Sequence, residues 1–457
     1  MALAETAPAS PAPCSPALSP SEVFAGTRMR EKSLSRLLMA FATSGLFFML
    51  FPGTFLGVWN LLQISGRESA GSVSPAWLQA HGHAQVFGWV GSFILGIGFY
   101  SIPGLRGGAR PSLRAAWLGW VAWTTGAAMR WAANVYLWQW RTLLPLSASL
   151  ELIAFLIFFR AVSGHRVRGS GKRKLVAWIC VVAGASTGLL LVLTANLAGC
   201  IYVAFRGATP AFPHLFDQRF LALTAWGFLV PFVWGFSAKW ISVFLGLEPP
   251  RTNFLLGAVA ANLTGLVLVL SGDGFAGSCL LALGAALAIA AIRVFEAAVS
   301  EPKSRGVHRT FPYFPRIAYG WLLLAACLGV AASRWDSSGG IWGASRHALT
   351  VGFVSTMILS VGQRVLPAFA GMRILWSPKL MFAAGFLLTL GCGARVVSEV
   401  VAYESSANWA WRVLPLSALT ELAALTLFAL NMMCTFILQP VHSVQEPMIA
   451  RIAEATR

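Results

Sequence analysis

Two of the seven histidines stand in apolar surroundings, where an ionisable side chain is costly to bury. His83 and His347 each fall about six residues inside an apolar run, some ~9 Å deep at ~1.5 Å per residue. Two imidazoles at one depth on parallel helices can ligate one iron from opposite sides. The plainer alternative is a pair of histidines bonded to carbonyls or to Gln85. His81 precedes His83 by two positions, ~200° around a helix, so the two cannot hold one ion together. His81 shares its face with Gln85 and reads as a ligand of another metal site, a donor to a ligand, or a polar residue at a helix mouth.

Arg130 and Arg395 lie at comparable depth, and a buried guanidinium needs an anionic partner. Haem propionates would supply one for both. Glu399, one helical turn after Arg395, would supply an ordinary ion pair. Glu151 and Glu421 fall near mid-membrane, six residues after Pro145 and Pro415. A carboxyl there either relays protons or makes an interhelical hydrogen bond, and the hydrogen bond is preferred. His165, His308 and His442 occur in polar segments and read as solvated, and His214 stands at the mouth of a helix. No phosphate-binding loop, HExxH or GxSxG motif is present.

The elements that must position these residues follow from composition. Hydrophobic residues make up 57% and charged residues 11%, against about 25% charged in soluble proteins. The reading is an all-α, polytopic membrane protein. Twelve apolar segments are predicted at 37–63, 77–104, 113–136, 142–163, 174–204, 216–244, 252–272, 276–298, 315–334, 341–368, 378–403 and 410–438. Residues 1–36, rich in Ala, Pro and Ser and then basic, read as a disordered tail, and 439–457 as a second tail. The net charge of +18 is assigned to loops on the cytoplasmic side rather than to nucleic-acid binding. One side collects 22 basic residues and the other about seven, which puts both termini in the cytoplasm. Seven cysteines without a CxxC pair argue against a disulfide framework or a zinc site.

An internal repeat ties the elements to the chemistry. His83-Ala…Gly88…Val90…Gly98…Pro103 recurs as His347-Ala…Gly352…Val354…Gly362…Pro367, at a constant offset of 264. Gly126…Arg130…Tyr136 recurs as Gly391…Arg395…Tyr403, and Leu144-Pro-Leu-Ser-Ala148…Glu151 as Leu414-Pro-Leu-Ser-Ala418…Glu421. Helices 1–4 therefore recur as 9–12. The stretch Ala222–Leu229 resembles Ala348–Val354 and marks helices 5–8 as a middle copy, with Leu221 where the histidine would be. The units are 37–163, 174–298 and 315–438.

Twelve helices in three four-helix units, with histidines on helices 2 and 10, resemble the catalytic subunit of haem-copper oxidases. That resemblance implies a low-spin haem on His83 and His347. Ser345 stands where the high-spin haem ligand would be, and segments 216–244 and 252–272 lack the histidines that would hold copper. An oxygen-reducing centre is therefore not expected. Arg346-His-Ala-Leu-Thr-Val-Gly and Ala80-His-Gly-His-Ala84…Phe87-Gly88 are similar to motifs of the NnrS proteins, membrane proteins of the bacterial nitric oxide response. Gln85 and Gln363-Arg364 depart from that family's pattern. The resemblance implies haem b, with copper as a further candidate, and a role in nitrosative stress or redox chemistry in the bacterial inner membrane.

The expected site is thus His83 and His347 as haem ligands, Arg130 and Arg395 on the propionates, and His81 as a further metal candidate. Partners are membrane lipid and a quinol or other electron carrier. The rival readings are a quinol- or cytochrome-linked oxidoreductase and a haem-free transporter. The topology has a direct check: a reporter fused near Gly108 should be cytoplasmic and one in the 64–76 connection periplasmic. The reverse pattern would put the histidines at the cytoplasmic end.

Overall fold

The computed structural model describes residues 20–106, 112–163, 176–303, 306–405 and 407–440. The outermost tail residues, the connections at 107–111 and 164–175, and with them His165 and His442, lie outside the described residues. The architecture is all-helical. Among the described residues eleven helices are long and apolar enough to cross a membrane, which fits a multi-pass membrane protein. In chain order these are α1 (Glu31–Arg67), α2 (Pro75–Pro103), α4 (Trp140–Ser163), α5 (Ala177–Arg206), α6 (His214–Leu245), α7 (Thr252–Ser271), α8 (Gly274–Ile292), α9 (Tyr313–Trp335), α10 (Gly340–Phe369), α11 (Pro378–Ser405) and α12 (Asn408–Leu438).

One predicted span stands apart. Helix α3 (Leu113–Tyr136) forms where expected and is 24 residues long, but it is not among the eleven. Two arginines, four tryptophans and two threonines lower its apolar character. A second difference is at the start of the chain. Helical backbone begins at Pro20, inside the stretch read as a tail. Once a helix is nucleated by the following span, each added residue gains a backbone hydrogen bond, so composition alone mislocates that boundary. Segment 276–298 also ends early, at Ile292, where Arg293 takes a left-handed conformation (φ 63°).

Three helices carry a π-helical stretch at corresponding places: Ala84–Gly91 in α2, Leu223–Leu229 in α6 and Ala348–Ser355 in α10. A fourth, Met49–Phe55, surrounds Pro52 in α1. Such stretches insert an extra residue into the turn and are frequent at functional sites. His83 and His347 are the residues immediately before the stretches in α2 and α10.

The matched glycines explain the tightest helix pairs. A Cβ on Gly126 of α3 would lie 2.9 Å from Glu151 Cγ and from the Ser147 carbonyl of α4. A Cβ on Gly391 of α11 would lie 2.7 Å from Glu421 Cγ and 3.1 Å from the Ser417 carbonyl of α12. Small residues of this kind let membrane helices approach backbone to backbone. Gly126→Val and Gly391→Val should each destabilise by ~1–3 kcal/mol through overpacking. Gly184→Ala, where a Cβ meets nothing within 4 Å, should not. Thermal unfolding in detergent checks this, and equal transitions for all three variants would discount the close packing.

Candidate functional site

Glu151 is completely buried on α4, seated against Gly126, and a bare carboxylate there would carry the full desolvation cost. It has two partners. His83 Nε2 on α2 is hydrogen-bonded to Glu151 Oε1 at 2.6 Å. Asn196 Nδ2 on α5 donates to Glu151 Oε2 at 3.1 Å. The Asn196 Oδ1 accepts from Arg130 Nη1 at 3.4 Å, and that same Nη1 lies 2.6 Å from Cys200 Sγ. The Arg130 guanidinium also stacks on Phe212, 4.4 Å from the ring centre. Arg130 Nε has no partner. The imidazole of His83 stacks on Phe87 at 4.5 Å.

The second cluster repeats the first. His347 Nε2 on α10 is hydrogen-bonded to Glu421 Oε1 on α12 at 2.7 Å. Glu421 is seated against Gly391 as Glu151 is against Gly126. Arg395 Nη2 donates to Glu399 Oε1 at 3.2 Å, the i,i+4 ion pair. Arg395 Nη1 and Glu399 Oε2 are buried without a partner. Cys392 has no cysteine counterpart in the first cluster, where Ala127 follows Gly126. Its sulfur, a His347 ring nitrogen and a Glu421 oxygen all lie within 4.8 Å of one another. His, Cys and Glu together are a donor set for a transition-metal ion.

His81 belongs to this second cluster. It is on the other face of α2 from His83, within electrostatic range of His347, Arg395 and Glu421. Its Nδ1 is 2.9 Å from the Gly53 carbonyl oxygen of α1. A carbonyl only accepts, so Nδ1 carries the proton and Nε2 of the neutral ring keeps its lone pair free. Ligating histidines are commonly oriented by such a bond from the other ring nitrogen. Gly57 makes room for the ring, since a Cβ there would lie 2.6 Å from His81 Cε1. Gln85 points the same way, donating to Thr54 Oγ1 at 2.8 Å.

The predicted residues therefore divide into two groups. His83, Glu151 and Arg130 gather with Asn196 and Cys200 of α5, while His347, Glu421 and Arg395 gather with His81 and Cys392. Both glutamates make the interhelical hydrogen bond that was preferred over a proton relay. Arg395 makes the ion pair that was its alternative. Arg130 has no carboxylate within hydrogen-bonding distance and rests on an amide, a sulfur and a ring instead. His308, read as solvated, is hydrogen-bonded to Thr310 Oγ1 at 2.7 Å and packs on Phe382 at 5.1 Å. Asn196, Cys200 and Cys392 were missed. A single Asn or Cys in an apolar run carries no pattern by itself, although a buried asparagine needs partners as much as a histidine does.

The comparisons agree with the fold. A family model described as a domain of unknown function, DUF8744, matches residues 224–437. No curated protein matches the chain. The cryo-EM structure of a haem-copper terminal oxidase dimer is similar in fold, with a TM-score of 0.62 and 11% sequence identity. That likeness covers 88% of this chain and 84% of the oxidase chain.

Removing one partner of a buried hydrogen-bonded pair leaves the other unsatisfied, at ~1–3 kcal/mol. Glu151→Ala should therefore lower the unfolding temperature strongly, because it strips His83 and Asn196 together. Glu151→Gln, which keeps an acceptor oxygen, should cost less. Thermal melts that rank the two variants the other way would mean that the pair does not hold α2, α4 and α5 together.

Proposed function

We propose that this chain is a haem-binding redox protein of a bacterial inner membrane, of the NnrS type, acting in the response to nitric oxide and nitrosative stress. In this reading the membrane part consists of three four-helix units, α3 is the twelfth span, and both termini are cytoplasmic. Haem b would be held by His81 and His347, with Arg395 toward a propionate, and would supply one-electron chemistry. His81 takes the place of His83 in this reading: His83 and His347 each have Nε2 on a glutamate of their own cluster, whereas His81 lies within electrostatic range of His347 and has Nδ1 on a carbonyl.

The observation that carries the reading is His81. Its Nδ1 is tied to a carbonyl, which leaves the lone pair of the neutral ring on Nε2, and it lies within electrostatic range of His347, Arg395 and Glu421. One further feature supports an anionic ligand: the buried Arg395 Nη1, which has no hydrogen-bond partner among the described residues. His347 would exchange its bond to Glu421 for the iron. A second reading is favoured by one specific feature, the convergence of His347, Cys392 and Glu421. It places a copper ion, rather than haem, on those three residues.

The optical spectrum of purified, dithionite-reduced protein tests both. Bis-imidazole haem gives sharp α and β bands. They should disappear in His81→Ala and His347→Ala and persist in His83→Ala. Loss in His83→Ala with retention in His81→Ala would restore the pair read from the repeat. A haem-free preparation with one copper per chain, lost in Cys392→Ser, would favour the second reading.

A further inference from the structure

Below the histidines, α2, α6 and α10 line an elongated, partly open chamber of about 280 Å³. Its lining begins at Val90, Leu229 and Val354, at the ends of the three π-helical stretches. It continues along α2 to Ser101, a length of roughly 16 Å at ~1.5 Å per residue. The far end carries Arg364 and Phe369. The walls are otherwise aliphatic and aromatic, which excludes ions and water-soluble metabolites and suits a lipid-soluble molecule.

One wall is not apolar. Ser237 of α6 lines the chamber, is 2% exposed, and finds no acceptor for its O–H among the described residues. Other serines and threonines of α2 and α6 bond back to the preceding turn: Ser92 to Gly88, Ser101 to Ile97 and Thr224 to Phe220. Ser237 does not. The wholly buried Tyr319 of α9 stands beside it, with its hydroxyl placed to donate to the serine oxygen. With the Tyr319 hydroxyl donating to Ser237, the serine's own O–H is left without an acceptor at the chamber wall, and a buried donor left unmade is unfavourable.

We infer that this chamber binds the head ring of a lipid-soluble quinone, whose carbonyl oxygen accepts a hydrogen bond from Ser237. A quinone brings two acceptors on an apolar ring into a pocket that offers donors and aromatic walls. A phospholipid carries its acceptors at the membrane surface, whereas Ser237 lies about midway between Leu229 and Phe244 along α6. The inference concerns binding and stands whether the histidine cluster holds haem, copper or neither.

Gly362 of α10 offers a clean test. It lines the chamber, and a Cβ there would meet only Leu366 and Ile358, at 3.8 and 3.9 Å. A larger side chain therefore fills the chamber without a backbone clash. Calorimetric titration of the purified full-length protein with a ubiquinone bearing one isoprene unit should show saturable binding near one per chain. Gly362→Leu should weaken it at least tenfold, and Ser237→Ala several-fold. Ile97→Phe, from the opposite wall, serves if Gly362→Leu does not fold. The absence of saturable binding, or unchanged binding in the chamber-filling variants, would overturn the proposal. So would a co-purifying phospholipid that is lost in Gly362→Leu while the quinone fails to bind. Unchanged affinity in Ser237→Ala would overturn the assigned hydrogen bond.

Discussion

A carboxylate inside an apolar helix bundle must be neutralised where it stands, and this constraint organises the molecule. Glu151 and Glu421 each meet an imidazole at hydrogen-bonding distance. Each contact joins a glutamate helix to the histidine helix two spans earlier. To bring the carboxylates that far in, α3 and α11 must lie almost backbone to backbone against α4 and α12, which only Gly126 and Gly391 permit. The π-helical stretches begin at the residue after each histidine. The polar pairs and the departures from regular helix thus fall on the same level of the bundle.

Much of this was legible in the sequence. Apolar run lengths give the helices to within a few residues, because backbone groups in lipid must be satisfied within each segment. The repeat pairs the Gly, Glu and His of the two clusters, whose contacts agree, whereas the two arginines take different partners, Asn196 and Cys200 for Arg130 and Glu399 for Arg395. Composition was less informative at the ends of elements. The helix from Pro20 grows from a span that nucleates it, and α3 sits at the margin where tryptophans and arginines offset alanines.

The repeat equates His83 with His347, and the structure seats each against a glutamate of its own unit. Matched residues of two repeats occupy equivalent places in different parts of a bundle. His83 and His347 accordingly each meet their own glutamate rather than each other. His81, on the opposite face of α2 from His83, lies within electrostatic range of His347, although the two are not counterparts in the repeat. The same logic explains Asn196 and Cys200, which reach the first cluster from α5. Nothing in the spacing of either segment encodes a contact between units, since it depends on how the units are arranged around one another.

The central claim is that His81 and His347 share one site while His83 belongs to another. A cryo-EM map of the protein purified from its own membranes addresses it most directly. The account predicts ligand density bridging His81 and His347, with the His83 imidazole still against Glu151. Density on His83, or contact between His83 and His347 through any group, would contradict it.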